Sequence, residues 1–321
     1  MKKFERILIL TDKKKSSLNQ TSAVKKYLMN LIKSKAIVKS MEITGFRIPN
    51  ILIWFFLKIK LIKPYKELID FVPDLIISCG RVTAPFSAIL KKNTKCKNIH
   101  IFKPNINEKY FDLILIPEHD RYSEKRNVIR FNGALVNKDK FKFKSLEKKK
   151  FLNIINPPVK KELVTVLIGG DNKSKSYTEQ EIDQFIILIE KLQKEKKYFL
   201  CFLFSRRTSL RFKLKIERKF SKFCFVWNGE ENNPFWYLLS TSDYIIVTGD
   251  SISMTCEAIE SQNPVFVYIP QRIKKKFKQF HSNNFINGYT KKFKGELSKS
   301  FSKKQKFQND LKKQLSEYFI K

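Results

Sequence analysis

Short apolar runs alternate with longer amphipathic stretches along most of the chain, the pattern of βα units assembled into parallel sheets. In the first half the runs predict strands at 6–11, 36–42, 74–79, 98–102, 113–117 and 127–131, with a first helix over 17–33. In the second half they predict strands at 164–168, 199–204, 223–226, 244–248 and 265–269, separated by helices over 178–194, 208–219, 234–242 and 251–262. Between the halves, 137–162 is rich in Lys, carries Pro157 and Pro158 and holds no sustained period, so a domain boundary belongs there. The expected fold is α/β, two Rossmann-like domains with a ligand cleft between them. The N-terminal domain is assigned to 1–145, a linker to 146–160 and the C-terminal domain to 161–321. Phe293, Phe301, Phe307, Leu311, Leu315 and Phe319 recur at nearly helical spacing, which predicts a closing helix over 291–321.

One segment, 48–64, breaks the alternation. Trp54, Phe55 and Phe56 lie in an uninterrupted seven-residue apolar run, Ile51 to Leu57, followed by Lys58, Lys60 and Lys63. A bilayer-spanning helix needs about 20 such residues. An aromatic apolar stretch flanked by lysines suits a helix lying in a membrane interface; burial as a core helix is the alternative.

With 321 residues, 42% of them hydrophobic, the chain can fill two cores. Its formal net charge of +35 raises the question of nucleic acid. Only 11 of the 65 basic residues are Arg, the Lys excess accompanies many Phe, Ile and Asn as an AT-rich genome would produce, and no helix-turn-helix, zinc-finger or aromatic RNA-binding motif is present. No specific nucleic-acid partner is therefore expected, and an anionic membrane surface fits the charge better. Five scattered cysteines without a C-x-x-C pair indicate neither a disulfide framework nor a metal site. Together with a first apolar run too short for a secretory signal, they place the protein in a reducing cytoplasm, peripheral on the inner face of the membrane.

Four stretches can carry chemistry. Gly169 and Gly170 end a strand before a helix, either to let a bound anion approach the backbone or simply to make the turn. Ser205, Arg206, Arg207 and Thr208 follow the next strand. Paired guanidiniums beside two hydroxyls suit a diphosphate; the alternative is a solvated turn in which Thr208 caps a helix. The polar loop Trp227 to Pro234 contains Asn228 and Asn233, and Asn233 is a candidate helix cap. Finally, Asp250, Ser251, Ser253, Met254 and Glu257 open a helix whose first amides can hold a phosphate while Glu257 accepts from ribose hydroxyls. Asp250 as an N-cap and Glu257 as a solvated residue are the plainer reading.

Taken in order, these residues resemble the elongated-mitochondria fission family, whose bacterial members are described as glycosyltransferases of the two-Rossmann GT-B type. The resemblance extends into the first half through Pro73 to Ile77, Gly80 and Arg81 with Thr83, Ala84 and Pro85, Phe111 to Leu113, Pro117 with His119 and Asp120, and Gly133 to Leu135. It implies a nucleoside-diphosphate sugar as donor substrate, no further cofactor and no metal, with Asn19, Gly80, Arg81 and Thr83 on the acceptor side. His119 or Asp120 is then the base toward an acceptor hydroxyl. Departures are specific. The loop after the first strand, Asp12 to Gln20, keeps Asn19 and Gln20 but lacks the family's usual Gly and His; Asn228 replaces an Asp, Glu231 a Gly and Val82 an Arg. A recruitment protein that binds nucleotide without turnover, as the family's plant role implies, and a nucleotide-sugar epimerase are the competing expectations. The chain has no G-x-G-x-x-G, which counts against nicotinamide chemistry.

Overall fold

The computed structural model describes residues 4–12, 14–32, 36–43, 52, 55, 71–171, 176–230, 232–299 and 309–320. It divides into two compact units, Met1–Asn137 with Gln308–Lys321, and Lys138–Phe307.

In unit 1 the order is β1 (Arg6–Thr11), α1 (Lys15–Ile32), β2 (Ile37–Glu42), β3 (Leu75–Cys79), α2 (Ala84–Thr94), β4 (Lys97–Ile101), β5 (Leu113–Pro117) and β6 (Val128–Phe131). The strands pair in parallel in the order β2-β1-β3-β4-β5-β6. Because helices cover both faces, the inner strands are apolar at nearly every position, and β3 is buried throughout. The period of two divides them between two cores. Ile7, Ile9, Leu75, Ile77, Ile99 and Ile101 pack against Ala23, Val24, Tyr27 and Leu28 of α1, whereas Leu8, Leu10 and Ile76 pack against Phe86, Ile89 and Leu90 of α2.

Unit 2 contains α3 (Ser145–Ile155), β7 (Glu162–Ile168), α4 (Glu179–Lys194), β8 (Tyr198–Phe204), α5 (Leu210–Phe220), β9 (Phe225–Val226), α6 (Phe235–Thr241), β10 (Tyr244–Thr248), α7 (Ile252–Glu260), β11 (Val265–Tyr268), α8 (Lys275–Ile286) and β12 (Lys291–Lys292). Its sheet is again parallel, in the order β12-β11-β10-β7-β8-β9. Val164, Val166, Ile168, Phe202 and Ile246 meet Ile182, Phe185, Phe212, Ile216 and Phe220 in its core. Helix α4 begins with a reciprocal cap: Glu181 donates its amide to Thr178 Oγ1 (3.2 Å), and its carboxylate accepts the Thr178 amide (3.1 Å).

The predicted strands are present within a few residues of their expected bounds. The stretch expected to be linker instead carries α3, and the divide between the units falls after Asn137. The expected closing helix over 291–321 resolves into two pieces. Lys291–Lys292 forms β12, and Phe293 behind it packs in the unit 2 core. Helix α9 (Asn309–Ile320) returns to unit 1, where Leu311 and Leu315 are buried in its core and Tyr318 donates to the Asp112 carbonyl at 2.5 Å. Trp54 and Phe56 lie outside the described residues. Leu52 and Phe55 are helical and exposed.

Candidate functional site

Counted along its own strands, the unit 2 sheet runs 3-2-1-4-5-6, so its order reverses between β7 and β10. Open α/β sheets bind ligands outside the strand carboxyl ends at such a point. Here that end is closed by a buried polar knot. The Gly169 amide donates to Thr248 Oγ1 (2.7 Å), and the Thr248 hydroxyl donates to Asp250 Oδ1 (2.7 Å). Asp250 Oδ2 accepts the Gly170 amide (2.8 Å), and Oδ1 also accepts the Tyr177 hydroxyl (2.6 Å). Burial, then the neighbouring Asp250 carboxylate, holds the Tyr177 phenol well above its ordinary range. Asp250 therefore ties three segments together instead of capping a helix. The cap of α7 is Ser251, whose Oγ faces the Met254 amide at 3.5 Å.

The glycine pair is explained by the same packing. A Cβ on Gly169 would stand 2.0 Å from Asp250 Oδ2, and one on Gly170 would stand 2.1 Å from the Arg207 carbonyl carbon. Beyond Gly170, Ser205 to Thr208 forms a tight turn in which the Thr208 amide donates to the Ser205 carbonyl (3.1 Å) and the Arg207 amide to Ser205 Oγ (3.1 Å). Thr208 Oγ1 bonds the Ile168 (3.0 Å) and Gly169 (2.5 Å) carbonyls, and Ser209 rather than Thr208 caps α5. Arg206 and Arg207 are thereby presented to solvent on a pinned backbone. Ser253, in the first turn of α7, is also exposed, while Met254 and Glu257 are half-buried. Behind β10, His281 sits buried with Nε2 2.7 Å from the Gly249 carbonyl. Burial lowers its pKa to about 4, so it is a neutral donor at pH 7.

Asn228 and Asn233 belong to the loop after edge strand β9, and both carbonyls serve that loop. Asn228 Oδ1 accepts the Glu230 amide (3.1 Å), and Asn233 Oδ1 accepts the Phe235 amide at the start of α6 (2.9 Å). Beside it lies a pocket of about 740 Å³ lined by Ile154, Phe225, Val226, Trp227, Asn228, Glu230 and Asn232. Reading motifs along the chain did not single out this concavity, because Ile154 comes from α3, which precedes the sheet.

In unit 1 the order reverses at β1 and β3. Gly80, at φ +90°, ends β3 facing Asp12 and Ser17; Thr83 closes its turn by donating to the Gly80 carbonyl (3.1 Å), and Arg81 is exposed. Burial alone would raise the Asp12 pKa, but hydrogen bonds from Lys14 and Ser17 outweigh it and keep the carboxyl below its usual range. Cys79 beside it is an inert thiol, pushed up to about 12 by burial. Asn19 is half-buried on α1, and Gln20 bridges the backbone of Leu135 in both directions, at 2.9 and 3.1 Å. His119 and Asp120 lie on a turn after β5, tied by Arg130 to the Glu118 and Asp120 carbonyls. Two strand spacings, about 10 Å, separate β5 from β3. His119 Nε2 stands 3.9 Å from Asp120 Oδ1, too far for a hydrogen bond. Among the described residues no group of three or more His, Cys, Asp and Glu could hold a metal ion, and no helix is long and apolar enough to cross a membrane.

Two parallel six-stranded sheets with their helices are the fold of GT-B glycosyltransferases and related epimerases. The glycosyltransferase from Rickettsia africae ESF-5 superposes with a TM-score of 0.55 at 14% identity, covering 100% of this chain and 89% of that one. The UDP-GlcNAc 2-epimerase from Methanocaldococcus jannaschii gives 0.56 at 12% identity, covering 98% and 92%. The Neisseria meningitidis UDP-GlcNAc 2-epimerase, bound to UDP-GlcNAc, gives 0.54 at 14%, covering 91% and 88%. Within that class the sequence is more specific: the family described as Mitochondrial fission ELM1 matches residues 18–312, and the chain belongs to it. Uncharacterized protein RP120 of Rickettsia prowazekii (strain Madrid E) is 30% identical over 265 residues, 70% of this chain and 73% of that protein. Mitochondrial fission protein ELM1 of Arabidopsis thaliana is 26% identical over 271 residues, 72% of this chain and 60% of that longer protein.

Proposed function

We propose that unit 2 binds a nucleoside-diphosphate sugar and that the protein transfers the sugar to a membrane-associated or cell-envelope acceptor. The observation that carries this reading is the position of Gly170. Its amide is held by Asp250 at the opening of α7 while its Cα packs on the Arg207 backbone, so the exposed arginines and the α7 N-terminus flank one residue. A diphosphate there would meet guanidinium forks from one side and the amides of Ile252 and Ser253, with the Ser251 and Ser253 hydroxyls, from the other. Neutralising the charge that develops on the departing diphosphate is the main electrostatic task of such a transfer.

A second reading is binding without turnover: the loop after β1, Asp12 to Gln20, lacks the Gly and His that the family resemblance leads one to expect there. Calorimetry against a panel of nucleoside diphosphates and their sugars tests the shared first step; Arg206→Ala with Arg207→Ala should abolish binding at unchanged thermal stability. No binding to any panel member overturns both readings. Donor turnover with lipid-linked acceptors separates them, and an altered sugar without transfer would favour epimerisation. Peripheral membrane attachment is tested by replacing Trp54, Phe55 and Phe56 with Ser, which should release the protein from anionic liposomes.

A further inference from the structure

Helix α3 turns to solvent side chains that a core would ordinarily take. Phe151 stacks on Tyr237 at a centroid distance of 5.2 Å and Ile155 is buried, so one face of the helix is fixed to unit 2. At about 3.6 residues per turn, Leu146, Lys149, Lys150 and Asn153 point away from that face, and all four are exposed. Leu146 is 80% exposed and Val159, beyond the helix, fully so; Leu152, Ile154 and Phe223 are open as well. These positions share one side of the unit. Ile154 lines a pocket with Phe225 and Val226 of edge strand β9, just after Phe223. Burial pushes the Cys224 thiol up to about 11, and the Lys161 ammonium is near enough to oppose it, which sets Val159 to Lys161 beside Phe223. The same surface is cationic. Lys148, Lys149, Lys150, Lys160 and Lys161 are exposed, and none has a carboxylate partner among the described residues. Glu147, the one acid between 144 and 161, commits its carboxylate to the Lys144 amide (2.8 Å).

We infer that the outer face of α3, with the adjoining Val159 to Lys161 and Phe223, is a docking surface for an anionic lipid membrane. The inference rests on the reading of peripheral attachment and adds a surface separate from the stretch at 54–56. Apolar side chains held this far into solvent gain only where they can leave water, and the lysines among them gain only against negative charge. A leaflet of acidic headgroups over acyl chains offers both at the same shallow depth. Nucleic acid offers the charge without the apolar layer, and 138–161 contains no Arg, the residue whose planar fork fits phosphate. An acidic protein groove requires a fixed counter-shape. Helix α3 is convex and its lysines are flexible point charges, which suits a fluid surface whose headgroups rearrange around them.

Each lysine near an acidic surface strengthens adsorption about fivefold, so reversing three should weaken it at least about tenfold. Sedimentation with vesicles of phosphatidylglycerol and phosphatidylcholine in equal parts reads this for Lys148→Glu with Lys149→Glu and Lys150→Glu. The control, Lys274→Glu with Lys275→Glu and Lys278→Glu, makes the same charge change at the exposed start of α8. Away from the contact, screening should hold its effect below about threefold. A second readout leaves the charge alone. Leu146→Trp should add blue-shifted emission on these vesicles but not on phosphatidylcholine alone, whereas Ile286→Trp, as exposed on α8, should show no shift. Equal weakening by both triple variants, with no Leu146→Trp shift, overturns the surface and leaves attachment through 54–56 standing. If the unaltered protein ignores the vesicles, attachment and surface fall together. If the α3 triple variant loses single-stranded RNA instead of vesicles, the patch reads nucleic acid and the inference is overturned.

Discussion

Replacing Gly170 by Ala distinguishes a glycine needed by the fold from one needed by a ligand. Its backbone φ lies in the ordinary range, so alanine is not excluded by conformation, and the cost is steric. The new Cβ would meet the Arg207 carbonyl carbon and oxygen at 2.1 Å and the Thr208 nitrogen at 2.3 Å, whereas real Cβ contacts essentially never fall under 3.0 Å. The turn must retreat by about 1 Å, the order of displacement that overpacking costs of roughly 1–3 kcal/mol describe. It is poorly free to do so, since the Asp171 amide holds the Arg207 carbonyl (3.0 Å) and Thr208 Oγ1 holds two carbonyls of the β7 end. Losing one of these bonds adds about 1 kcal/mol. The expected total, roughly 2–4 kcal/mol, lowers the melting temperature of unit 2 by about 5–15 °C in the absence of any nucleotide. Gly229→Ala is the comparison: φ is +95°, among the described residues nothing beyond its chain neighbours lies within 4 Å of the added Cβ, and the left-handed backbone alone costs about 1–2 kcal/mol. Scanning calorimetry of the two variants reads the order directly. A Gly170→Ala protein that melts with the wild type yet no longer binds nucleotide would refute the packing argument and make the glycine a ligand contact.

Other expectations concern the buried polar groups. Tyr177→Phe withdraws a donor from the Asp250 carboxylate and should cost roughly 1–3 kcal/mol in chemical denaturation; no change would mean that the knot does not depend on it. Gln20→Ala strips the Leu135 amide and carbonyl of a shared partner 115 residues away, and should destabilise unit 1 by roughly 2–4 kcal/mol while leaving unit 2 melting unaltered. His100 and His281 are held neutral by burial, with pKa values lowered to about 3 and about 4. The unfolded chain protonates them near pH 6.5 and the folded chain does not, so stability falls as pH drops below about 6.5, by about 1.4 kcal/mol per pH unit for each histidine. His281→Gln should flatten that slope between pH 6 and 4, and an unchanged slope would assign it to other groups.

The strands were legible because parallel strands covered on both faces are runs of apolar residues, and the run at 113–117 needs no tertiary information to be seen. Helices α3 and α8 were not. Helix α3 buries only Ile155, and α8 buries Phe280, His281 and Asn284 among lysines, so neither shows a stripe strong enough to read. Strand β12 is two lysines whose pairing is set by β11, a fact no local pattern contains. The aromatic spacing over 291–321 looked like one helix because residues from two separate cores, Phe293 in one and Leu311 and Leu315 in the other, happen to fall near a common period. At the candidate site the residue types were visible, but their division of labour was not. The bond between Gly170 and Asp250 joins positions 80 residues apart.

That division has a functional consequence. Gly169, Gly170, Thr208 and Asp250 bond to one another at the switch in strand order, so each is committed to holding the β7, β8 and β10 ends in register and is poorly placed to exchange partners with a ligand. On the proposed reading, contacts to an anion fall one residue further out, to the Arg206 and Arg207 side chains and the first turn of α7. Substitutions then sort into two kinds. Changing Asp250 to Asn removes one acceptor from a knot that has three donors aimed at it, so stability and binding should fall together. Changing Ser253 to Ala alters an exposed hydroxyl and should weaken binding alone. If Asp250→Asn instead weakened nucleotide binding at full stability, the carboxylate would be a contact and the inner positions, not the outer ones, would form the ligand surface.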